Sequence, residues 1–355
     1  MQKLSVLLLF AVLVGCAVRA TPASGADVDV CFDANVTPLQ HAAEKIKQAL
    51  ESQQHAVAFC ASGEAEGDFV ITLSVEPEAG LQPGGFARRP AEDGTLAVIG
   101  ADAAGAMYGG LALAADVRAG TPLEAVEAQE ENPRVGFRAI KFNLPWDSYR
   151  RSEALQLHTE TVRDLQFWER FLDMMAENRF NVLSLWNLHP FSYMVRSETY
   201  PEATPFSDEE LAAWQEFYHG LFQMAKDRGI ETYVVNWNIF VSPAFAEAHD
   251  IASYSIEGNH FADGDTSDVI KDYTREVVTQ VINEYPNLTG LGLSLGEGMG
   301  GMTPRAREDW VLETIIAGMQ DADREAKLIH RVPFSAGLGS GGSTSAEVET
   351  LTREV

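Results

Sequence analysis

The sequence predicts an α/β protein with a small α+β N-terminal domain followed by a partial TIM (β/α)8 barrel. Three observations predict it. Short strand-like and helical segments fill residues 27–130, apolar strands then alternate with amphipathic helices across 135–355, and polar and aromatic residues gather where those later strands end. Such alternation predicts a parallel sheet covered by helices. An open Rossmann-like sheet also fits, but the residues at the strand ends favour a barrel, whose active site lies there.

Residues 1–26 have the composition of a secretion signal. One Lys precedes an apolar run that ends in LVGC, residues 13–16. This ending resembles the lipobox of bacterial lipoproteins, so Cys16 is the predicted lipidation site. An ordinary secretory signal cleaved near Ala23 or Ala26 is the alternative. Both interpretations place the mature chain outside the cytoplasm, in the periplasm, at the outer membrane or cell surface, or secreted.

The N-terminal domain is assigned to residues 27–130. Its predicted strands are the apolar segments 26–32, 56–60, 68–75 and 95–101. Two helices, at 37–53 and 102–120, complete it. Thr37 and Asp102 are the predicted N-caps, because their side-chain oxygens can accept from the free amides of a first turn. The acidic stretch 124–134 is interpreted as a linker.

The second domain, 135–355, contains about five β/α units. The predicted strands are 135–144, 180–188, 231–240, 288–296 and 326–334, and the predicted helices are 163–178, 208–228, 266–285 and 304–323. A complete barrel has eight units in about 250 residues. We therefore expect the last strands to be missing from this chain, and the chain as given to show little turnover.

A glycine-rich motif after the fifth strand is a weak signal for a dinucleotide site. GLGSGG, residues 337–342, matches the G-x-G-x-x-G pattern. The acidic residue expected about 20 positions later would fall beyond the last residue. The sequence therefore does not predict a nucleotide cofactor.

Charge and cysteine content exclude several partners. The chain has 26 Lys+Arg against 52 Asp+Glu, a formal net charge of -26, which repels nucleic acid and anionic membranes. Membrane contact is expected only through a lipid anchor. Cys31 and Cys60 lie in short apolar runs and could form a disulfide between neighbouring strands or remain two free thiols. The eight His are scattered and no CxxC or HExxH motif occurs, so neither a metal nor a cofactor is predicted.

The strand ends of the predicted barrel repeatedly carry a Trp beside an Asn or Asp. Indole rings stack on the C–H faces of sugars, and amides and carboxylates bind sugar hydroxyls, so the pattern predicts a carbohydrate site. Packing Trp and loop-capping Asn residues are the alternative. The residues concerned are Asn143, Trp146 and Asp147 on the first strand, Trp186, Asn187 and His189 on the second, and Asn236, Trp237 and Asn238 on the third, with His330 and Arg331 on the fifth.

Glu297 is the predicted catalytic residue. It follows the apolar fourth strand and stands between Gly296 and Gly298, without bulky neighbours. Partial desolvation against the Trp rings would raise its pKa, which suits a general acid that protonates a leaving-group oxygen. The alternative is a Glu that caps the next helix or binds a nearby Arg.

The sequence resembles two groups of glycoside hydrolases over roughly residues 60–335. TLAVIGADAAGAMYGGLALA before ENPRVGFRAI resembles the small N-terminal domain shared by β-hexosaminidases and α-glucuronidases. FRAIKFNLPWDS resembles the first barrel strand of family 67 α-glucuronidases, which implies that Arg138, Asn143, Trp146 and Asp147 lie in or under the sugar site. LSLGEGMGG resembles the fourth strand of those enzymes, which implies the general-acid role for Glu297.

Two departures from these families matter. Hexosaminidases carry an Asp-Glu pair on the fourth strand, whereas Gly296 precedes Glu297 here. The base carboxylates of α-glucuronidases come from later strands, and an inverting pair stands about 6.5–9.5 Å apart. Asp147 is the other carboxylate at a predicted strand end, and the base is not assigned to it.

The sequence therefore predicts a glycoside hydrolase acting on polysaccharide or oligosaccharide, α-glucuronidase-like, with Glu297 as general acid. A polysaccharide lyase on the same scaffold, a β-N-acetylhexosaminidase and a non-catalytic glycan-binding lipoprotein are the alternatives.

Overall fold

A computed structural model describes most of the protein. It covers residues 26–61, 63–145, 153–237, 239, 241–251, 266–294, 299, 302–331 and 353. Cys16, Trp146, Asp147, Asn238, Glu297 and the motif at 337–342 lie outside the described residues. Within the described part, none of the helices has the length and apolar character needed to span a membrane.

The first half forms a six-stranded sheet with two helices. In chain order its elements are β1 Asp27–Cys31, α1 Thr37–Ser52, β2 Ala56–Cys60, β3 Phe69–Val75, β4 Phe86–Pro90, β5 Thr95–Gly100, α2 Ala103–Arg118 and β6 Gln129–Glu131. The strand order is β2-β1-β3-β5-β4-β6. β2, β1, β3 and β5 are parallel, whereas β4 runs antiparallel to β5 and β6. The sequence did not predict β4 and β6, since FARRP and QEE lack an apolar alternation.

The two helices pack closely against this sheet and each other. The predicted apolar stripe of α1, including Ala42 and Ile46, is fully buried. α2 approaches through Gly109 and Gly110, where an added Cβ would lie 2.6 Å from the Val98 side chain and 2.9 Å from that of Ala42. Side chains at these glycines would force the layers apart.

One of the two predicted N-caps is correct. The Asp102 side chain accepts from the Gly105 amide at 2.7 Å and caps α2. The Thr37 prediction is wrong: Val36 occupies the N-cap of α1, without a side-chain hydrogen bond. Pro38 at the start of the helix has no amide to be satisfied, which lowers the need for a polar cap.

A disulfide joins Cys31 to Cys60. The two residues end neighbouring parallel strands and stand directly opposite in the register, with Cα atoms 4.4 Å apart. The bond closes the carboxyl edge of the first sheet between β1 and the edge strand β2.

The second half is a run of β/α units. Its elements are β7 Ala139–Asn143, α3 Glu153–Arg163, α4 Leu165–Glu177, β8 Val182–Asn187, α5 Asp208–Asp227, β9 Glu231–Asn236, α6 Pro243–His249, α7 Asp268–Glu284, β10 Gly290–Ser294, α8 Pro304–Gln320 and β11 Lys327–Arg331. α8 includes one π-helical turn, Leu312–Ile316. Short 3₁₀ turns lie at Leu123–Ala125, Pro190–Tyr193 and Pro201–Ala203.

The strand order distinguishes a barrel from an open Rossmann-like sheet. The five strands are parallel and adjacent in chain order, β7-β8-β9-β10-β11. Crossovers between parallel strands are right-handed, so a sheet built in one direction carries its helices on one face. In a doubly wound sheet the order of the strands would reverse direction within the sheet. The predicted fold class, a small α+β domain followed by part of a (β/α) barrel, is confirmed.

The helix predicted at 163–178 is α4, and a further helix, α3, precedes it. α3 ends at Arg163, and Asp164 begins α4 by accepting from the Gln166 amide at 2.9 Å. The sequence pattern missed α3 because its apolar positions are few. Trp168 and Leu172 of α4 are fully buried, as the predicted stripe requires.

Ion pairs around Asp173 join the two halves. Asp173 of α4 accepts from Lys45 of α1 and from Arg228 after α5, both at 2.6 Å, and His41 of α1 lies 3.7 Å away. Burial raises the pKa of Asp173, but the hydrogen bonds from Lys45 and Arg228 outweigh it and lower that pKa overall. The junction is therefore a partly buried charged cluster.

We expect His41 to make the protein less stable in mild acid. Burial, and then the charge of Arg228 and of Lys45, lower its pKa to about 4, although Asp173 and Asp227 oppose this. An unfolded His binds a proton near pH 6.5, so between about pH 6.5 and 4 the unfolded chain binds more protons than the folded one, and stability falls as pH falls. Asp173 loses its contribution only below the ordinary Asp pKa of about 4.

Substituting His41→Gln should flatten this dependence. Urea unfolding of wild type and variant at pH 7.0, 5.5 and 4.5 measures it, with a slope difference of at most about 1.4 kcal/mol per pH unit. Parallel curves over that range would show that His41 keeps an ordinary pKa.

Candidate active site

The strand register divides the barrel side chains into two faces. Successive residues of a strand point to opposite faces of the sheet, and residues paired across neighbouring strands point to the same face. Leu183, Leu185, Val234, Leu291 and Leu293 are buried with the helices in the main core. The residues at the alternate strand positions face the lumen of the barrel. In the carboxyl half of the strands they are Lys141, Asn143, Ser184, Trp186, Val235, Gly292, Ser294, Ile329 and Arg331.

Trp186 is the centre of the lumen-facing rim. The Lys141 ammonium lies 4.0 Å from the Trp186 ring centroid, and the Arg331 guanidinium carbon lies 5.5 Å from it. Trp237 stands edge-on to Trp186, with ring centroids 6.3 Å apart, and Lys141 is 5.7 Å from its centroid. Both cations are within the roughly 6 Å range of a cation–π interaction. We call these four residues, Lys141, Trp186, Trp237 and Arg331, the rim cluster.

Two serines fix the rim cluster in place. The Trp186 indole nitrogen donates to Ser184 Oγ at 3.0 Å, which sets the tilt of the ring. Arg331 donates to Ser294 Oγ at 2.8 Å, and Ser294 is fully buried. The rim therefore presents an oriented indole and an oriented guanidinium toward the lumen.

The rim is cationic in a strongly acidic protein. The whole chain carries a net charge of -26, yet the described lumen-facing residues of the carboxyl half include Lys141 and Arg331 and no Asp or Glu. Glu231 also faces the lumen, but at the amino end of β9, where it pairs with Lys327. Two cations therefore lie near Trp186 at the carboxyl half of the described barrel strands.

The backbone after β9 is unusual at the same rim. Ile239 has φ of 64°, and its side chain is 3% exposed. A β-branched residue in the left-handed region is a genuine outlier, and such conformations cluster at functional sites. The strain lies two residues after Trp237, beside the rim cluster.

The predicted Trp-Asn pairs do not act together on one face. Trp186 faces the lumen, but Asn187 faces the helices, where it donates to the Pro145 carbonyl at 3.1 Å and accepts from the His189 amide at 3.0 Å. Asn236 is paired with Asn187 across β8 and β9, so it points to the same face of the sheet, and it is 4% exposed. The described contacts of Asn187 are therefore with the backbone of the loops after β7 and β8, and its role in substrate binding stays a prediction.

His189 belongs to the packing of the loop after β8. It is 6% exposed, its ring stacks on Tyr193 with centroids 6.0 Å apart, and its Nδ1 lies 3.4 Å from Ser192 Oγ. All these contacts are within the loop. Nothing in the described part places His189 at the lumen.

Arg138 lies at the wrong end of β7 for a sugar contact. It precedes the first strand residue, and its carbonyl accepts from the amides of Asn181 and Val182 at the amino end of β8. Its guanidinium donates to the carbonyls of Arg179 and Val135 at 2.6 and 2.7 Å. Arg138 therefore joins the chain before β7 to the turn before β8, and these contacts do not place it at the carboxyl edge where the sugar site was predicted.

Asn143 and Trp237 remain at the predicted site, and Lys141 joins them. Asn143 is exposed on the lumen face opposite Trp186. The sequence analysis missed Lys141, although its spacing of two from Asn143 predicts the same face. Among the described residues no group of three or more His, Cys, Asp or Glu is placed to hold a metal ion.

Comparison with known proteins relates this fold to glycoside hydrolases. No protein-family profile matches the sequence, and no curated protein matches it either. Among solved structures, a GH138 enzyme targeting pectin rhamnogalacturonan II superposes with a TM-score of 0.70 and 28% identity, over 83% of this chain. This chain spans 33% of that enzyme.

Hexosaminidases share the fold at lower identity. A mutant β-hexosaminidase of Streptomyces plicatus with its GlcNAc product matches with a TM-score of 0.63 and 13% identity, over 94% of this chain and 70% of its own. The GH20 β-N-acetylhexosaminidase of Streptomyces coelicolor superposes with a TM-score of 0.61 and 13% identity, over 94% of this chain and 69% of that enzyme. At 13% identity these superpositions show a shared fold alone.

Proposed function

We propose that the protein is a glycoside hydrolase that cleaves the glycosidic bond of a uronic acid in a polysaccharide or oligosaccharide. Two lines support it. The structures that share its fold are glycoside hydrolases. The chain carries a sugar-type aromatic rim where barrel enzymes bind their substrates.

The observation that carries the proposal is the cationic rim cluster. Lys141 is exposed and lies 4.0 Å from the ring centroid of Trp186, which is 7% exposed, and the Arg331 guanidinium carbon lies 5.5 Å from the same centroid. A uronic acid has both an apolar ring face and a carboxylate, so it matches the indole and the cations together.

Glu297 is the proposed general acid. It follows β10, whose last residue Ser294 holds Arg331 at the rim. A carboxylic acid that follows a parallel strand suits proton transfer to the leaving oxygen. The residue before it is Gly296, which speaks against the hexosaminidase alternative, since those enzymes carry an Asp there.

The substrate class follows from two resemblances. The first barrel strand resembles that of α-glucuronidases, and the GH138 structure at 28% identity targets pectin rhamnogalacturonan II. Pectin and glucuronoxylan both present uronic acids. We therefore place the substrate among plant cell-wall polysaccharides with an α-linked uronic acid.

An extracytoplasmic setting belongs to the same proposal. The disulfide between Cys31 and Cys60 supports it, because such bonds persist in oxidising compartments. Cys16 is the proposed lipid attachment site. Labelled palmitate should enter the wild-type protein but not Cys16→Ser, and absence of label from both would leave the ordinary signal peptide.

A substrate panel tests the function and separates it from the alternatives. The panel contains uronic-acid oligosaccharides from pectin and glucuronoxylan, aryl uronides and aryl N-acetylhexosaminides. Release of free uronic acid is the expected result for the full-length protein. An unsaturated product that absorbs ultraviolet light would show a lyase, release of N-acetylhexosamine a hexosaminidase, and binding without turnover a glycan-binding protein.

A further inference from the structure

A cavity lies between α2, the β4–β6 edge of the first sheet and the end of α4. Its volume is about 430 Å³, within the range of about 300–1,000 Å³ that small-molecule sites occupy. α4 ends just before β8 begins, so the cavity lies near the amino end of the barrel strands. The rim cluster lies at their carboxyl end. The cavity is therefore separate from the candidate active site.

The charges that line the cavity are already paired. Three arginines line it and each has a carboxylate partner, the pairs being Arg88 with Asp116 at 2.6 Å, Arg118 with Glu177 at 3.4 Å, and Arg179 with Glu131. An anionic ligand would enter beside these carboxylates, and a cationic ligand would enter beside the arginines. Like charges at close range cost binding energy. The balance of charge therefore favours an uncharged ligand.

Two buried polar atoms of the lining residues have no hydrogen-bond partner in the part of the chain that the structure describes. Arg88 is 6% exposed and its Nε lacks an acceptor, while Gln129 Oε1 lacks a donor. The two residues are paired across β4 and β6, so their side chains lie on the same face of the sheet. Native proteins satisfy nearly all buried polar groups, which makes a bound molecule the natural partner of both atoms.

A hydroxyl group matches both atoms. It can accept from Arg88 Nε and donate to Gln129 Oε1, whereas a carboxylate only accepts and an ammonium only donates. The carboxylates of Asp116 and Glu177 have further lone pairs that can accept from other hydroxyls of the same ligand. The polar side of the cavity therefore suits a ligand with several hydroxyl groups.

Another wall of the cavity is apolar. α2 contributes Leu111, Ala112 and Ala115 to it. A sugar ring has C–H faces as well as hydroxyls, so it can pack on this wall while its hydroxyls meet the polar side. We propose that the cavity binds a neutral sugar ring, as a second and non-catalytic carbohydrate site. The inference rests on the proposed carbohydrate substrate only in choosing a sugar among polyhydroxylated ligands.

Binding of free sugars to the full-length protein tests this site. Saturation-transfer NMR titrations are recorded with galactose, xylose and rhamnose, and with galacturonate as the charged counterpart. Ala115→Trp fills the cavity from an exposed helix position, and Glu177→Ala removes a hydroxyl acceptor whose side chain is 40% exposed. Both are surface substitutions, so the fold should be retained. Ala125→Trp is the matched control, since Ala125 is exposed and does not line the cavity.

At least one neutral sugar should bind the wild-type protein. Its affinity should fall about tenfold or more in Glu177→Ala, because a hydrogen bond to a charged group is lost. Binding should disappear in Ala115→Trp and stay within about twofold of wild type in Ala125→Trp. If no neutral sugar binds, or if Ala115→Trp binds as the wild type does, the cavity holds only water and the proposal is overturned.

A rim variant separates this site from the proposed active site. Lys141→Met should leave neutral-sugar binding within about twofold, since Lys141 lies at the other end of the strands. Loss of neutral-sugar binding in Lys141→Met would place the ligand at the rim cluster and contradict the proposal. Tighter binding of galacturonate than of any neutral sugar, abolished by Ala115→Trp, would contradict it too. If the protein hydrolyses no uronide, the proposed function fails, while these titrations still decide whether the cavity binds a sugar.

Discussion

Glu297→Gln should reduce activity by about 10²–10⁴-fold on natural oligosaccharides, the usual contribution of general acid catalysis. The amide keeps the shape and hydrogen-bonding capacity of the side chain but cannot deliver a proton to the leaving oxygen. The loss should be much smaller for an aryl uronide whose nitrophenolate departs without protonation. Steady-state kcat and KM on both substrates measure the difference.

The comparison of the two substrates is the control for Glu297. Lost binding would weaken both substrates alike and would be seen mainly as a higher KM. An equal loss of kcat on both would remove Glu297 from the acid role. Full activity on both would make it a carboxylate that only tethers the segment after β10.

Lys141→Met should remove selectivity for the acidic sugar. The methionine keeps an apolar contact with Trp186 but has no charge to meet a carboxylate. Truncating one partner of a desolvated charge pair costs roughly 2–5 kcal/mol, and at this partly open rim we expect the lower end, a fall of about 30- to 100-fold in kcat/KM for a uronide. Activity on the matching neutral glycoside should change by no more than about twofold, the scale of a surface substitution.

Lys327→Met is the matched control for Lys141. The Lys327 side chain faces the lumen, as that of Lys141 does, but Lys327 lies at the amino end of β11 and pairs with Glu231. Lys327→Met changes the net charge of the chain by the same amount as Lys141→Met, but it leaves Lys141 and Arg331 at the rim. If Lys327→Met lowered uronide turnover as much as Lys141→Met, the effect would be a long-range field and the rim cluster would not recognise the carboxylate.

The fold could be predicted because its pattern is repetitive. Each barrel strand is an apolar run followed by an amphipathic helix, and β8 and β10 were predicted within a few residues of their observed bounds. β4 could not be predicted, since Arg89 and Pro90 at its end are exposed while Phe86 at its start is buried by tertiary contacts. Arg88 is also buried, against Asp116, a contact between distant segments that no local pattern reveals.

The candidate site was predicted only in part, for a geometric reason. Trp186, Trp237 and Asn143 were chosen by their positions at strand ends, and that rule identifies the correct edge of the sheet. It does not identify the face, which depends on register: Trp186 pairs with Asn143, whereas Asn187 donates to the Pro145 carbonyl. Arg138 was assigned from resemblance and lies at the opposite end of β7.

Lys141 shows what a register-based analysis adds. Its importance lies in a contact across strands, 4.0 Å from the Trp186 centroid. A lysine within a strand of a chain with 26 basic residues carries no signal by itself. Only the pairing of Lys141 with Ser184, on the face that Trp186 shares, brings it to the rim.

The most direct test of the central claim is the ratio of two kcat/KM values for the wild-type protein. The substrates are an aryl α-galacturonide and the corresponding aryl α-galactoside, with aryl α-glucuronide and α-glucoside as a second pair, so that within each pair only the carboxylate differs. If the cations beside Trp186 select an acidic sugar, the uronide should be preferred by about 30-fold or more in at least one pair. Equal or faster hydrolysis of the neutral sugar in both pairs would contradict the account.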